Sequence, residues 1–178
     1  AAFASHGPAV TAGMLAALVG TKEKLAASLG RNRRTAAIGF YRLGGISFPV
    51  TYAAVPPGTV MLPLGETVPM TLDEILRSTE TGRKHAPLLA GLDRYPFLSD
   101  AAGIPLSFPP VLNSDTVGRV VEGDGDLFCE VTGTDWHTVQ LTLSILACNM
   151  EDRGAVIEPV ETVYAAGSPS GASVTTPV

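Results

Sequence analysis

The stretch Leu127-Phe128-Cys129-Glu130-Val131-Thr132-Gly133-Thr134-Asp135-Trp136 changes its pattern midway, and that change decides the fold class. Leu127 to Val131 is a short apolar run of the kind that forms a buried strand, Gly133 is a turn residue, and Asp135 is a helix N-cap. Beyond it Val139, Leu143, Leu146 and Met150 recur at three-to-four spacing, which predicts a helix over 136–152 with one buried stripe, closed by Gly154. A further strand is expected over 156–164.

Upstream, Met14, Leu15, Leu18, Lys22, Leu25 and Leu29 predict a helix over 11–29 ended by Gly30, followed by the basic cluster Arg31-Asn32-Arg33-Arg34. Short apolar runs at 36–40, 48–54 and 60–64 read as strands, the first two separated by Gly44-Gly45. Thr71-Leu72-Asp73-Glu74 is a capping box that opens a short helix over 72–77. Residues 83–91 read as a helical turn interrupted by Pro87. Strands over 95–98 and 104–108 flank a hairpin-like turn at Asp100–Gly103, and 117–121 reads as another strand. Helices and strands are interspersed without strict alternation. The expected class is α+β, mixed sheets flanked by a few helices, in a single compact domain. Its first half is 1–80, its second half 81–166, and 167–178 is a linker-like tail.

The chain has 178 residues, enough for one domain with a real core. Gly (19) and Pro (14) exceed their usual combined share of about 12%, while 46% hydrophobic residues is too many for disorder. A net charge of −5 excludes a self-sufficient nucleic-acid binder, which carries a basic face. No apolar run is long enough to span a membrane, and the N-terminal stretch lacks the basic region of a signal peptide. Both ends read as cuts within a longer protein. Cys129 and Cys148 are expected to be reduced core residues of a cytoplasmic protein.

No phosphate-binding loop, dinucleotide fingerprint or Cys/His metal spacing is present. His6, His85 and His137 lie far apart in sequence and read as surface or half-buried residues. Two segments concentrate polar, Gly and Pro residues: 106–115 and 130–135. The first reads either as a strand ending in a rigid Pro-Pro turn, with Asn113 to Asp115 satisfying backbone groups, or as part of a binding site. In the second, Glu130 and Thr132 stand two apart on a strand and so share one face. A carboxylate beside a hydroxyl on an apolar sheet suits the polar tip of a hydrophobic ligand; Asp135 equally serves as a plain N-cap. Trp136 reads as an anchor into the core.

Ser-Phe-Pro-Pro-Val-Leu-Asn-Ser at 107–114 and Glu-Val-Thr-Gly-Thr-Asp-Trp at 130–136 resemble the tRNA-editing (B3/4) domain of the phenylalanyl-tRNA synthetase beta subunit family, in its archaeal/eukaryotic form. Leu29-Gly30-Arg31-Asn32-Arg33-Arg34 with Ala37-Ile38-Gly39, Leu62-Pro63-Leu64-Gly65, Met70 to Leu76 and Arg94-Tyr95-Pro96 fall in the same order. The resemblance covers essentially the whole chain. It implies hydrolysis of tyrosine mischarged on the phenylalanine tRNA, with no cofactor or metal in this domain and no aminoacylation by it alone. It also implies as partners the aminoacylated 3′ end of tRNA, the alpha subunit and the other beta-subunit domains. By the same resemblance Leu98 walls the substrate ring, and Ser107 hydrogen-bonds the amino acid or its hydrolytic water. Glu130 accepts from the tyrosine hydroxyl or the ammonium, and Thr132 donates in the same pocket. Glu130 stands where the family pattern has aspartate, one methylene longer. Asn113 and Gly118 align with family loop positions. Arg31, Arg33 and Arg34 either contact tRNA phosphates or neutralise the C-terminal end of the first helix. A structural beta-subunit domain without editing, or an independent trans-acting deacylase, are the alternative readings.

Overall fold

A computed structural model describes residues 1–165 and 173–177. In chain order the elements are β1 (Ala2–His6), α1 (Ala12–Ala27), β2 (Ala36–Arg42), β3 (Thr51–Val55), β4 (Val60–Met61), β5 (Met70–Thr71), α2 (Leu72–Ser78) and α3 (Glu80–His85). Then follow β6 (Tyr95–Ser99), β7 (Pro105–Phe108), β8 (Leu112–Asn113), α4 (Asp115–Gly118), β9 (Leu127–Gly133), α5 (Trp136–Glu151), β10 (Val156–Val163) and β11 (Ser173–Thr176). The class is α+β, as the strand-to-helix passage predicts. The strand pairings are antiparallel, which narrows the expected mixed sheets.

The chain groups into two units, and these are nested rather than sequential. One comprises Ala1–Leu43 with Val121–Val178, the other Gly44–Val120, in place of the expected halves 1–80 and 81–166. The tail 167–178 is also not wholly a linker: Ser173–Thr176 pair with β10, while 166–172 and 178 lie outside the described residues.

The first unit is a five-stranded sheet in the order β11-β10-β1-β9-β2, with α5 packed on β9 and β10. The predicted stripe of α5 is its buried face: Val139, Leu143, Leu146 and Met150 are all buried. Asp135 caps the helix by accepting from the Thr138 N–H at 2.7 Å. Cys148 is exposed, contrary to expectation, because it stands on the outer face of α5 with Leu141 and Ile145; Cys129, on β9, is buried. Trp136 is not a core anchor either. It occupies the first turn of α5, off the buried stripe, and meets Tyr164 edge-on at 6.5 Å.

The second unit has a four-stranded sheet, β3-β6-β7-β8, and a two-stranded ribbon, β4-β5. Leu72, Ile75, Leu89, Phe97, Phe108 and Val111 form its apolar core. The capping box is present in full: the Thr71 side chain accepts from the Glu74 N–H, and Glu74 accepts from the Thr71 N–H at 2.8 Å. The runs at 36–40 and 48–54 belong to different sheets, and the second strand starts only at Thr51, since Pro49 has no N–H for the ladder. The strand expected over 117–121 is overturned. Asp115–Gly118 is a single helical turn, tied by the Asp115–Arg119 ion pair at 2.6 Å, and this local bonding outweighs the β-branched composition.

Candidate functional site

The predicted site residues fall into two constellations, one in each unit. In the first unit, β9 runs between β1 and β2, so Glu130 faces Ala2 on one side and Gly39 on the other. Tyr41 lies two residues beyond Gly39 on the same face of β2, and its ring returns over the glycine. A Cβ at Gly39 would overlap the Tyr41 hydroxyl and come within 2.5 Å of Glu130 Oε1. The missing side chain therefore makes room for a direct bond, in which the Tyr41 hydroxyl donates to Glu130 Oε1 at 2.9 Å. Both residues are buried. The other carboxyl oxygen, Oε2, has no hydrogen-bond partner among the described residues.

Burial pushes Glu130 from its ordinary value near 4.5 up to about 7, against the opposing pull of the Tyr41 hydrogen bond, the Ala1 amino group and Lys22. Lys22, on α1, is lowered mainly by burial and then by Arg33. Burial also raises the neighbouring Cys129 thiol well above its usual range. Thr132, half-buried, stands on the Glu130 face of β9, opposite Ala37. Glu130 and Thr132 thus share one face of β9, as period-two spacing predicts. Tyr41 and Gly39 are additions that sequence reading missed. Their signal was a glycine inside an apolar strand run, which marks a close approach.

In the second unit Leu98, Ser107 and Asn113 lie directly across from one another on β6, β7 and β8. This row occupies the face of the sheet opposite Phe97, Phe108 and Leu112, which turn toward the apolar core. All three row residues are buried, and Ser107 Oγ has no hydrogen-bond partner among the described residues. Gly118 belongs with them: a Cβ there would come within 2.5 Å of the Asn113 Cβ, so the glycine allows Asn113 its position. A buried hydroxyl with an open valence, walled by leucine, suits a ligand that is apolar along its body and polar at one group.

The basic cluster has an unusual backbone. Arg31, Asn32 and Arg33 all have positive φ, at 46°, 56° and 68°. The turn they form folds back on α1: the N–H groups of Gly30, Asn32 and Arg33 donate to the carbonyls of Leu25, Ala27 and Ala26. It thereby satisfies the helix's terminal acceptors and sets cations at the negative end of its dipole. Arg31 and Arg34 are exposed, while Arg33 is half-buried.

These two constellations sit on a fold with a close structural counterpart. An N-terminal fragment of the phenylalanyl-tRNA synthetase beta subunit from Pyrococcus horikoshii matches 99% of this chain and 50% of its own length, with a TM-score of 0.94 and 33% identity. The fold is thus that of an aminoacyl-tRNA synthetase module. No protein-family model matches the chain. Phenylalanine–tRNA ligase beta subunits are similar over nearly all of it: 40% identity to that of Treponema pallidum across 99% of this chain, and 38% to that of Borrelia garinii across 91%. The chain belongs to the phenylalanine–tRNA ligase beta subunit family. It spans about a third of those relatives' length, 30% and 29% respectively. Among the described residues, no helix is long and apolar enough to cross a membrane.

Proposed function

We propose that this chain is the editing module of a phenylalanine–tRNA ligase beta subunit, hydrolysing tyrosine wrongly esterified to the phenylalanine tRNA. The tRNA body, the alpha subunit and the remaining beta-subunit domains are the partners this reading requires, in the cytoplasm. The chemical need is plain. A synthetic site shaped for a phenyl ring rejects an added hydroxyl by only roughly 10²-fold in analogous cases, whereas a site built to hydrogen-bond that hydroxyl discriminates by up to about 10⁴-fold.

The observation that carries the reading is Glu130 itself, a buried carboxyl with one oxygen held by Tyr41 and the other unpartnered. Such a group gains most from a ligand that donates to Oε2, which is what the tyrosine hydroxyl or the ammonium of the amino acid offers. Thr132 donates beside it. Water attacks the ester carbonyl carbon, the carbonyl–ribose oxygen bond breaks, and the ribose hydroxyl leaves carrying a proton. The ester is already activated, so oriented dipoles and a positioned water suffice, with neither a covalent nucleophile nor a cofactor in this domain. Deacylation of tyrosyl- and phenylalanyl-tRNA tests this. Glu130→Ala and Thr132→Ala are each expected to slow tyrosyl-tRNA hydrolysis by at least tenfold. Wild-type rates in both variants would sink the assignment and leave a purely structural domain.

A further inference from the structure

Helix α5 has one charged side chain, Glu151, and it stands at the last position. At the chain's own charged share of 16%, a helix of 16 residues would carry about two or three. The inner face is the buried stripe that packs on β9 and β10. The outer face is His137, Leu141, Ile145 and Cys148, whose spacings of four, four and three residues set them in one line along the helix. All four are exposed, Leu141 to 41% and Ile145 to 36%. By contrast, α1 shows Glu23 and Lys24 to solvent. A single exposed leucine is ordinary. A long helix that is apolar inside and uncharged outside is not: a solvated helix carries charges on its outer face, and one that lacks them is covered on both sides.

We infer that the outer face of α5, from Leu141 to Cys148, docks on another domain of the same beta subunit. The length of the family's chains supplies that occupant: this chain spans 30% of its Treponema pallidum relative and 50% of the Pyrococcus horikoshii fragment. Size points the same way. From Leu141 to Cys148 the line is about 10 Å long, two turns of helix. A separate protein needs an interface of about 800 Å² a side, roughly 20–30 residues, and this face is far smaller. A domain tethered in the same chain needs much less, because the tether already supplies an effective concentration in the millimolar range. Charge disfavours a second copy, since each carries a net −5 and docking would bring the two together. The partner face is apolar opposite Leu141 and Ile145, because a charge there would be desolvated with nothing to pair with. The inference rests on membership of the family and holds whether or not the chain edits.

Cys148 lies on this line and reports on it. In the assembled synthetase its alkylation by N-ethylmaleimide is followed by mass spectrometry of the Cys148 peptide, against the same thiol in guanidinium-unfolded enzyme. Alkylation is expected to be slowed at least about tenfold, since it must wait for the face to open. Alkylation at the unfolded rate overturns the inference. A photoreactive maleimide, given time to couple to Cys148, then identifies what covers it. The expected crosslink joins the same beta chain outside these 178 residues, with no gain in the subunit's mass on a denaturing gel. A crosslink to the alpha subunit, a beta–beta product of doubled mass, or a crosslink confined to these residues overturns the inference. Leu141→Glu is expected to bring Cys148 alkylation close to the unfolded rate and Leu141→Met to leave it slow. An assembled Leu141→Glu enzyme in which Cys148 stays slow overturns the inference as well, and if that variant does not assemble, the wild-type rate and crosslink decide. Tyrosyl-tRNA hydrolysis is no part of the readout, so failure of the editing reading leaves this result standing.

Discussion

Glu130 combines two demands that oppose each other, burial against charge, and its ionisation shows which prevails. The carboxyl is raised to about 7 because burial outweighs the Tyr41 hydrogen bond and the cationic groups of Lys22 and Ala1. Its folded-state pKa lies above the unfolded one, so its contribution to stability is fully present below about 4.5 and is lost as pH rises through about 7. Glu130→Gln keeps the acceptor for Tyr41 and removes this titration. The variant is expected to gain stability over the wild type between pH 5 and pH 8, by at most roughly 3 kcal/mol, read from denaturant midpoints at each pH. An identical pH profile in both proteins would refute the assignment. Tyr41→Phe removes a bond that favours the charged form, so carboxyl NMR titration should place Glu130 higher still. The spacing of Glu130 and Thr132 was legible in the sequence because strand period is local. Tyr41 was not, because its partnership depends on β2 and β9 pairing in one register across some ninety residues of chain. Likewise Leu98, Ser107 and Asn113 become a row only through the registers of three strands.

At the scale of elements, the turn after α1 and the C-terminal end of β1 each make a distinct claim. Three consecutive non-glycine residues with positive φ cost roughly 1–2 kcal/mol apiece, offset by the helix carbonyls they satisfy. Asn32→Gly relieves one such residue, and a gain of about 0.5–1 kcal/mol in unfolding free energy is expected; a loss would mean that the Asn32 side chain holds the turn. On β1, His6 bridges Glu158 at 2.9 Å and Asp126 at 3.3 Å. The hydrogen bond to Glu158, foremost, and the contact with Asp126 raise its pKa. Here too the folded pKa exceeds the unfolded one, so the stabilisation is present below about 6.5 and fades as pH climbs through the raised value. The site is exposed, so less than about 1 kcal/mol is at stake, and His6→Gln should flatten the profile between pH 6 and pH 8. The elements themselves were largely legible: a capping box and an N-capped amphipathic helix carry their own boundaries in adjacent residues. The failures lie where short-range signals were outvoted. Val117 to Val121 looks like a strand by composition, yet a helical turn with its ion pair at Asp115 takes residues 115–118. The nested arrangement of the two units had no local signal at all, because it depends on residues 1–43 and 121–178 joining across the intervening segment.

For the molecule as a whole, the balance of 12 basic against 17 acidic residues bears on how a tRNA could be held. A protein that grips nucleic acid by itself releases counterions at many phosphates, and its affinity falls steeply with salt. With a net charge of −5, this chain has no such reserve of cations. On the proposed editing function the difficulty goes, because such a module needs only to receive an acylated 3′ end, the tRNA body being left to the partner domains that the proposal requires; the chain spans about 30% of the length of its Treponema pallidum relative. That division of labour fixes what the isolated chain should do. Its binding to tyrosyl-tRNA should be weak at 50 mM salt, and should lose further affinity by 200 mM along a shallow slope of about −1 to −2 in log K against log salt. That is what one or two phosphate contacts, from the exposed Arg31 and Arg34, would give. Arg31→Ala with Arg34→Ala should flatten the slope toward zero; an unaltered slope would leave these arginines the structural task of capping α1. Fluorescence anisotropy across a salt series decides the matter. Tight binding that resists salt would contradict the division of labour, because nothing in the charge of this chain could account for it.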